Sequence, residues 1–125
     1  EILAATDFCR SRRIAFNEHI GVGTRYPSGE EALFLLDAFR AGAATFFLAA
    51  TTVRHPRRGH DLAKIGERFH LMSKGVILRR FGFFYGLRVI TDWTRQYAFK
   101  GMQPRHLGYL LTGFLRSRRI LSGDI

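Results

Sequence analysis

The sequence predicts an α/β segment that is followed by amphipathic helices. Two adjacent carboxylates, Glu30 and Glu31, begin an apolar helical run, and Gly42 follows it as the left-handed terminator that favours glycine. Short extended stretches are predicted on both sides of this helix. In the second half, apolar residues recur at spacings near three, four and seven, which is the pattern of one helix face.

We assign the elements in chain order from these signals. The predicted elements are a strand over 1–8, a helix over 30–40, short extended pieces over 43–48 and 51–53, and a last helix over 106–116 after Pro104. The apolar stripe of the second half consists of Ile65, Phe69, Met72, Val76, Phe83, Leu87, Ile90 and Tyr97. The sequence contains no uncharged apolar run of about 18 residues, so it predicts no membrane-spanning helix.

Charge divides the chain of 125 residues into two parts. Residues 1–56 carry six basic and six acidic side chains, whereas residues 57–125 carry 14 basic and four acidic ones. The whole net charge of +10 therefore lies in the second part. We place a functional boundary near Arg57. The single Cys9 has no disulfide partner in the chain, which is consistent with a reducing cytosolic face.

The segment from Gly23 to Glu31 combines a glycine- and proline-rich loop with two carboxylates at a helix start. In one interpretation, Ser28 and Glu31 form a capping box, in which each side chain bonds the backbone N–H of the other residue. In the other, the loop shapes a pocket and the first helical turn holds a carboxylate as general base. A cap can also hold a base in place, so the two interpretations are compatible.

The order of these segments resembles the family 2 glycosyltransferases, and it is most similar to bacterial members that build surface polysaccharides. That family has an "FDE" segment, a glycine-rich loop, an acidic pair opening a helix, a glycine ending it, and a histidine after the next strand. The matching residues here are 14–18, 20–31, 34–36, 40–42 and 53–56. The resemblance covers about residues 1–56 and implies the C-terminal, acceptor-side part of a GT-A-like nucleotide-sugar transferase domain.

The resemblance implies roles for individual residues. The second acid of the family's pair is the base that deprotonates the acceptor hydroxyl, and Glu31 matches it, with Glu30 as the second choice. The pair is usually Glu-Asp in the family, so Glu31 departs from the pattern by one methylene. The acceptor site would be shaped by Tyr26, Pro27, Ser28 and Gly29. The implied reaction moves a sugar, with inversion, from a nucleotide-sugar donor to a saccharide or lipid-linked acceptor.

The family also implies a divalent metal, Mg or Mn, beside the donor diphosphate, and His55 matches the histidine that lies near it. Alternatively, His55 caps a loop by hydrogen bonding. The sequence has no Asp-x-Asp segment and no Gly-x-Gly-x-x-Gly motif, so we expect the donor-binding half and most metal ligands to lie outside these residues. This portion alone is expected to be inactive.

Residues 57–125 predict a basic helical surface rich in aromatic side chains. Such helices bind in the plane of anionic bilayers, so we expect peripheral association with the cytoplasmic face of a membrane. The predicted contacts are Arg79, Arg80, Phe83, Arg88 and Trp93. Alternatively, the stripe packs against the first half and the arginines form a solvated face. A non-enzymatic basic module that binds membranes or nucleic acid is the competing function; no nucleic-acid-binding motif is readable, so nucleic acid is the weaker partner.

Overall fold

The computed structural model describes residues 2–46, 66–98 and 103–124, and its regular secondary structure in these ranges is helical. Its helices are α1 (Thr6–Arg12), α2 (Glu30–Arg40), α3 (Glu67–Phe81), α4 (Phe83–Ala98), α5 (Pro104–Leu115) and α6 (Ser117–Ser122). The described ranges contain no β-strand, only an isolated bridge between Ile20 and Tyr26. The predicted α/β, GT-A-like fold is therefore wrong for this chain.

The predicted strand over 1–8 is also wrong, because α1 begins at Thr6. A strand needs a neighbouring strand for its backbone hydrogen bonds, whereas a helix forms them within the segment. Residues 43–46 are irregular, and the rest of the predicted extended pieces lies outside the described residues. No described segment supplies a strand partner, so local helix formation satisfies the backbone.

The prediction of α2 is confirmed at both ends. The helix runs from Glu30 to Arg40, and Gly42 has a φ of 86° just after it. Its start differs from the capping-box interpretation, because the N-cap is Gly29 and no side chain caps the helix. On its buried face, Leu33, Phe34 and Ala38 point into the protein.

The predicted apolar stripe is divided between two helices. Gly82, with a φ of 148°, separates α3 from α4. Met72 and Val76 of α3 are buried, and so is Ile90 of α4. The last predicted helix, 106–116, is confirmed as α5, which begins at Pro104 and ends at Leu115; the short α6 that follows it was not predicted.

The first of two core clusters joins residues from both sides of the predicted boundary. Its buried members are Ile20, Tyr26, Leu33, Met72, Val76 and Ile120. The side chain of Asn17 adds a link to the C-terminus, because its Nδ2 donates to the Leu121 carbonyl over 3.0 Å. Residues 2–46 thus pack directly against α3 and α6.

The second cluster lies where α3, α4 and α5 meet. Ile90, Leu110 and Phe114 are buried there, with Trp93 and Leu87 packed against them. Gly75 and Gly113 allow α3 and α5 to touch through their backbones: an added Cβ on Gly113 would overlap the Met72 carbonyl oxygen. This crossing fixes the position of α3, which carries residues of every site described below.

Candidate functional site

The loop before α2 is held by a small set of hydrogen bonds. The Gly21 N–H donates to the Tyr26 carbonyl over 2.7 Å, closing the loop. Inside it, Thr24 Oγ1 accepts from the Tyr26 N–H over 3.1 Å and lies 2.9 Å from the Gly21 carbonyl oxygen. Gly21 and Gly23 have φ angles of 131° and 87°, which glycine adopts without strain. These bonds therefore fix the backbone conformation of the loop that precedes Glu30 and Glu31.

The two carboxylates of the acidic pair have different surroundings. The Glu30 side chain is partly buried and packs against Gly21, and its Oε1 lies 3.5 Å from the Val22 backbone nitrogen, which donates to it. Glu31 is exposed in the same helical turn. Glu30 thus holds the loop, whereas Glu31 is the solvent-exposed member of the pair.

The four residues predicted to shape an acceptor site are not on one surface. Tyr26 is only 4% exposed and makes an edge-to-face contact with Phe69, with ring centroids 5.9 Å apart. Gly29 lies against α3, where an added Cβ would come within 2.8 Å of Ile77 Cγ1. Pro27 and Ser28 are half-buried. The Tyr26 side chain belongs to the first core cluster.

Ser28 contacts α3 instead of capping α2. Its Oγ lies 3.3 Å from Nδ1 of His70, and the two groups are partly buried. Burial, and to a smaller extent the nearby Lys74 ammonium, lowers the pKa of His70 below its ordinary value. The neutral imidazole is thus favoured beside the Ser28 hydroxyl.

A cleft of about 480 Å³ opens on the outer side of the loop. It is lined by Val22, Gly23, Thr24, Arg25, Pro27, Gly66 and Phe69. The Arg25 guanidinium lies over the Phe69 ring, 4.7 Å from its centroid. The cleft therefore offers a guanidinium donor beside an aromatic face.

The five residues predicted to contact a membrane have three different environments. The Arg88 side chain is 82% exposed, and its Nε lies 3.9 Å from an Asp92 carboxylate oxygen. Phe83 is exposed at the start of α4, whereas Trp93 packs against the second core cluster. Arg79 and Arg80 are half-buried, and Arg80 forms an ion pair with Asp37. These environments divide the set between surface and core.

A second cleft, missed by the sequence analysis, lies where α2, α3 and α6 meet. Arg40 and Arg118 join Arg79 and Arg80 in its lining. The available signal was the density of arginine in α6 and just before it, at positions 116, 118 and 119. Sequence alone did not show that Arg40 lies beside them.

The described residues provide no group of three or more His, Cys, Asp or Glu side chains arranged to hold a metal ion. His55, which the resemblance relates to the metal and diphosphate, lies outside the described residues.

In the same described ranges, every helix is too short or too polar to cross a membrane. Comparison with protein-family models, with curated proteins and with solved structures finds no match to this chain. Its chemistry is therefore inferred from the loop, the acidic pair and the two clefts.

Proposed function

We propose that this chain forms the acceptor side of a sugar-transfer site in which Glu31 is the general base. The observation that carries the proposal is the contrast within the acidic pair: Glu30 is packed against the loop, while Glu31 is exposed in the first turn of α2. A general base needs a fixed position and access to the proton it removes. The ordered motifs of residues 14–56 support the same role.

In the proposed step, the acceptor hydroxyl oxygen attacks the anomeric carbon of a nucleotide-activated sugar. Glu31 takes the hydroxyl proton, and the bond to the nucleoside diphosphate breaks with its electron pair on the leaving oxygen. The acceptor, a saccharide or a lipid-linked saccharide, would enter the cleft beside Arg25, whose guanidinium can donate to hydroxyl groups. The sequence has no Asp-x-Asp segment, so donor-binding residues would come from outside 1–125.

The Glu31→Gln and Glu30→Gln variants test the base in the polypeptide that joins this chain to its donor-binding part. Both changes conserve shape and remove one charge. We expect Glu31→Gln to lower kcat by about 10²- to 10⁴-fold, the usual contribution of a general base. Glu30→Gln should change kcat much less, because its carboxylate supports the loop. Product formation is followed by mass spectrometry with a panel of nucleotide sugars.

The acceptor role can be tested on the 125-residue chain itself. In a titration of the isotope-labelled chain with oligosaccharides, we expect amide shifts to concentrate at residues 22–25 and at Glu31. Full turnover by Glu31→Gln would refute the base. Absence of any saccharide-dependent shift in the loop would refute the acceptor site, even if Glu31 proved essential.

Membrane-surface binding is a second candidate, and it is compatible with the first. At the junction of α3 and α4, four aromatic side chains are exposed to solvent, led by Phe84 at 83%; the others are Phe81, Phe83 and Tyr85. Arg79, Arg80 and Arg88 lie on the same stretch of chain. Aromatic rings beside cationic groups suit the interface of an anionic bilayer. We propose that this junction holds the protein peripherally at the cytoplasmic face.

A further inference from the structure

The cleft between α2, α3 and α6 is lined by guanidinium and hydroxyl groups. It has a volume of about 550 Å³, which is within the range of small-molecule sites. Its arginines are Arg40 from α2, Arg79 and Arg80 from α3, and Arg118 from α6. Ser117 and Ser122 complete the polar lining. Four cations from three helices thus surround one concave surface.

Neighbouring groups orient three of these arginines. Arg80 donates to the Asp37 carboxylate, and the Arg40 guanidinium donates to the Arg80 carbonyl over 2.5 Å. The Arg79 guanidinium lies over two aromatic rings, 5.0 Å from the Phe83 centroid and 5.7 Å from the Phe114 centroid. Stacking occupies the faces of a guanidinium and leaves its N–H donors, which lie in its plane, available.

The cleft keeps a large excess of positive charge. Within the described part of the chain, Asp37 is the single carboxylate that forms an ion pair with an arginine of the cleft. The Asp124 carboxylate also lies beside the cleft, because its Oδ2 accepts from the hydroxyl of the lining residue Ser122 over 2.6 Å. Two acids do not balance four guanidinium groups, so an anion would be favoured here.

We propose that this cleft binds a phosphate group of a small molecule or of a lipid. Guanidinium groups pair with phosphate through two parallel N–H···O bonds, and such charge-assisted bonds are about twice as strong as neutral ones. Convergent arginines from separate helices can contact different oxygens of one tetrahedral group. The site lies apart from Glu31 and from the Arg25 cleft in its lining residues, so it does not depend on the proposed sugar transfer.

Arg118→Gln is the variant that tests the site, because Arg118 is exposed and its loss should not disturb the core. Arg95→Gln, at an exposed position of α4 outside the cleft, removes the same charge and serves as the matched control. Binding of inorganic phosphate and of pyrophosphate to the 125-residue chain is measured by calorimetry in chloride buffer. We expect Arg118→Gln to weaken pyrophosphate binding at least about tenfold and Arg95→Gln to leave it within about twofold, as expected for loss of one charge-assisted pair.

Two further measurements test the guanidinium geometry and identify the source of the phosphate. Arg118→Lys keeps the charge but lacks the planar fork, so it should restore only part of the affinity. Vesicles of phosphatidylcholine with phosphatidate present the same group on a lipid. Arg118-dependent binding to vesicles but not to pyrophosphate would assign a headgroup site, and the reverse would assign a soluble ligand. Equal losses in Arg118→Gln and Arg95→Gln for every probe, or no binding of any probe, would overturn the proposal.

Discussion

Glu30 and Glu31 illustrate how one turn of helix can separate two adjacent carboxylates. Successive residues of a helix project about 100° apart, so Glu30 turns toward Gly21 while Glu31 turns toward solvent. The sequence motif could suggest an acidic pair but could not assign the more accessible member. That distinction depends on the loop folding back onto Glu30, with Val22 donating to its carboxylate.

Tyr26 shows the same limit at a neighbouring position. Its place in the loop suggested an acceptor contact, yet its ring is buried against Phe69, which lies far along the chain in α3. Local sequence carries no information about which distant helix packs on a loop. Ser28 was likewise expected to cap α2, and its contact with His70 could not be read from the motif.

His70 gives a prediction about the pH dependence of stability. Its pKa is lowered in the folded protein, chiefly by burial and further by Lys74, while an unfolded chain has a histidine pKa near 6.5. Below that pH, the unfolded state binds more protons than the folded state, so folding becomes less favourable. We expect the contribution of His70 to stability to be complete above about pH 6.5 and to be lost as the pH falls through the folded-state value.

The measurement is the free energy of unfolding by urea at a series of pH values for the wild type and for His70→Asn. An asparagine amide can reach the position of Nδ1 but does not titrate. Subtracting the two curves isolates His70 from the other titrating groups. A difference curve that is flat, or that rises as the pH falls, would contradict the prediction.

At the scale of secondary-structure elements, the positions of individual helices were the easiest feature to predict from the sequence. The bounds of α2 followed from local signals: an acidic first turn, an apolar face and Gly42 just beyond the end. The N-terminal segment was assigned wrongly, because a strand is defined by its partners and the described residues supply none. The break at Gly82 was also missed, although it divides the apolar stripe between α3 and α4.

The crossing of α3 and α5 depends on two glycines that sequence patterns do not distinguish from others. A Cβ added at Gly75 would lie 2.6 Å from the Phe114 nitrogen, and one added at Gly113 would lie 2.6 Å from the Met72 Cα. Backbone atoms cannot move aside as a flexible side chain does. The two helices must therefore separate to admit a methyl group.

We predict that Gly113→Ala destabilises the protein by about 2 to 3 kcal/mol, the upper part of the usual range for overpacking. Gly108→Ala, on the same helix, is the matched control, since no atom lies within 4 Å of its added Cβ. That control should be neutral or stabilising by up to about 1 kcal/mol, because alanine favours helix. Thermal and urea unfolding measure both variants, and equal stabilities of the two variants would rule out the close crossing.

At the scale of the whole molecule, the sequence predicted the distribution of charge better than it predicted how the helices pack. The basic character of the second part was evident, but the assembly of Arg40 with Arg79, Arg80 and Arg118 needs α2, α3 and α6 to meet. The resemblance covers residues 1–56 and cannot specify how they pack on the rest. The first core cluster unites these parts through Ile20, Val76 and Ile120.

The distribution of charge and exposed aromatics leads to a prediction about partners of the whole molecule. We expect the chain to bind vesicles of phosphatidylglycerol more tightly than vesicles of phosphatidylcholine, and more tightly than duplex DNA or RNA at the same ionic strength. Charge alone would attract both lipid and nucleic acid. The exposed Phe84, in contrast, gains free energy only where it can leave water.

The variant that tests this prediction combines Phe84→Ser with Arg88→Glu, at two exposed positions of α4. Each basic residue contributes about 1 kcal/mol near an anionic surface, and burial of a phenylalanine contributes about 1.5 to 3 kcal/mol, so vesicle binding should fall at least about tenfold. Leu3→Ser with Arg105→Glu makes equivalent changes at exposed positions elsewhere and should have a smaller effect. Cosedimentation measures both. Equal losses would show that net charge alone drives binding. Only a bilayer offers an apolar phase for the aromatic cluster at the junction of α3 and α4, so tighter binding to duplex than to vesicles would favour the nucleic-acid alternative.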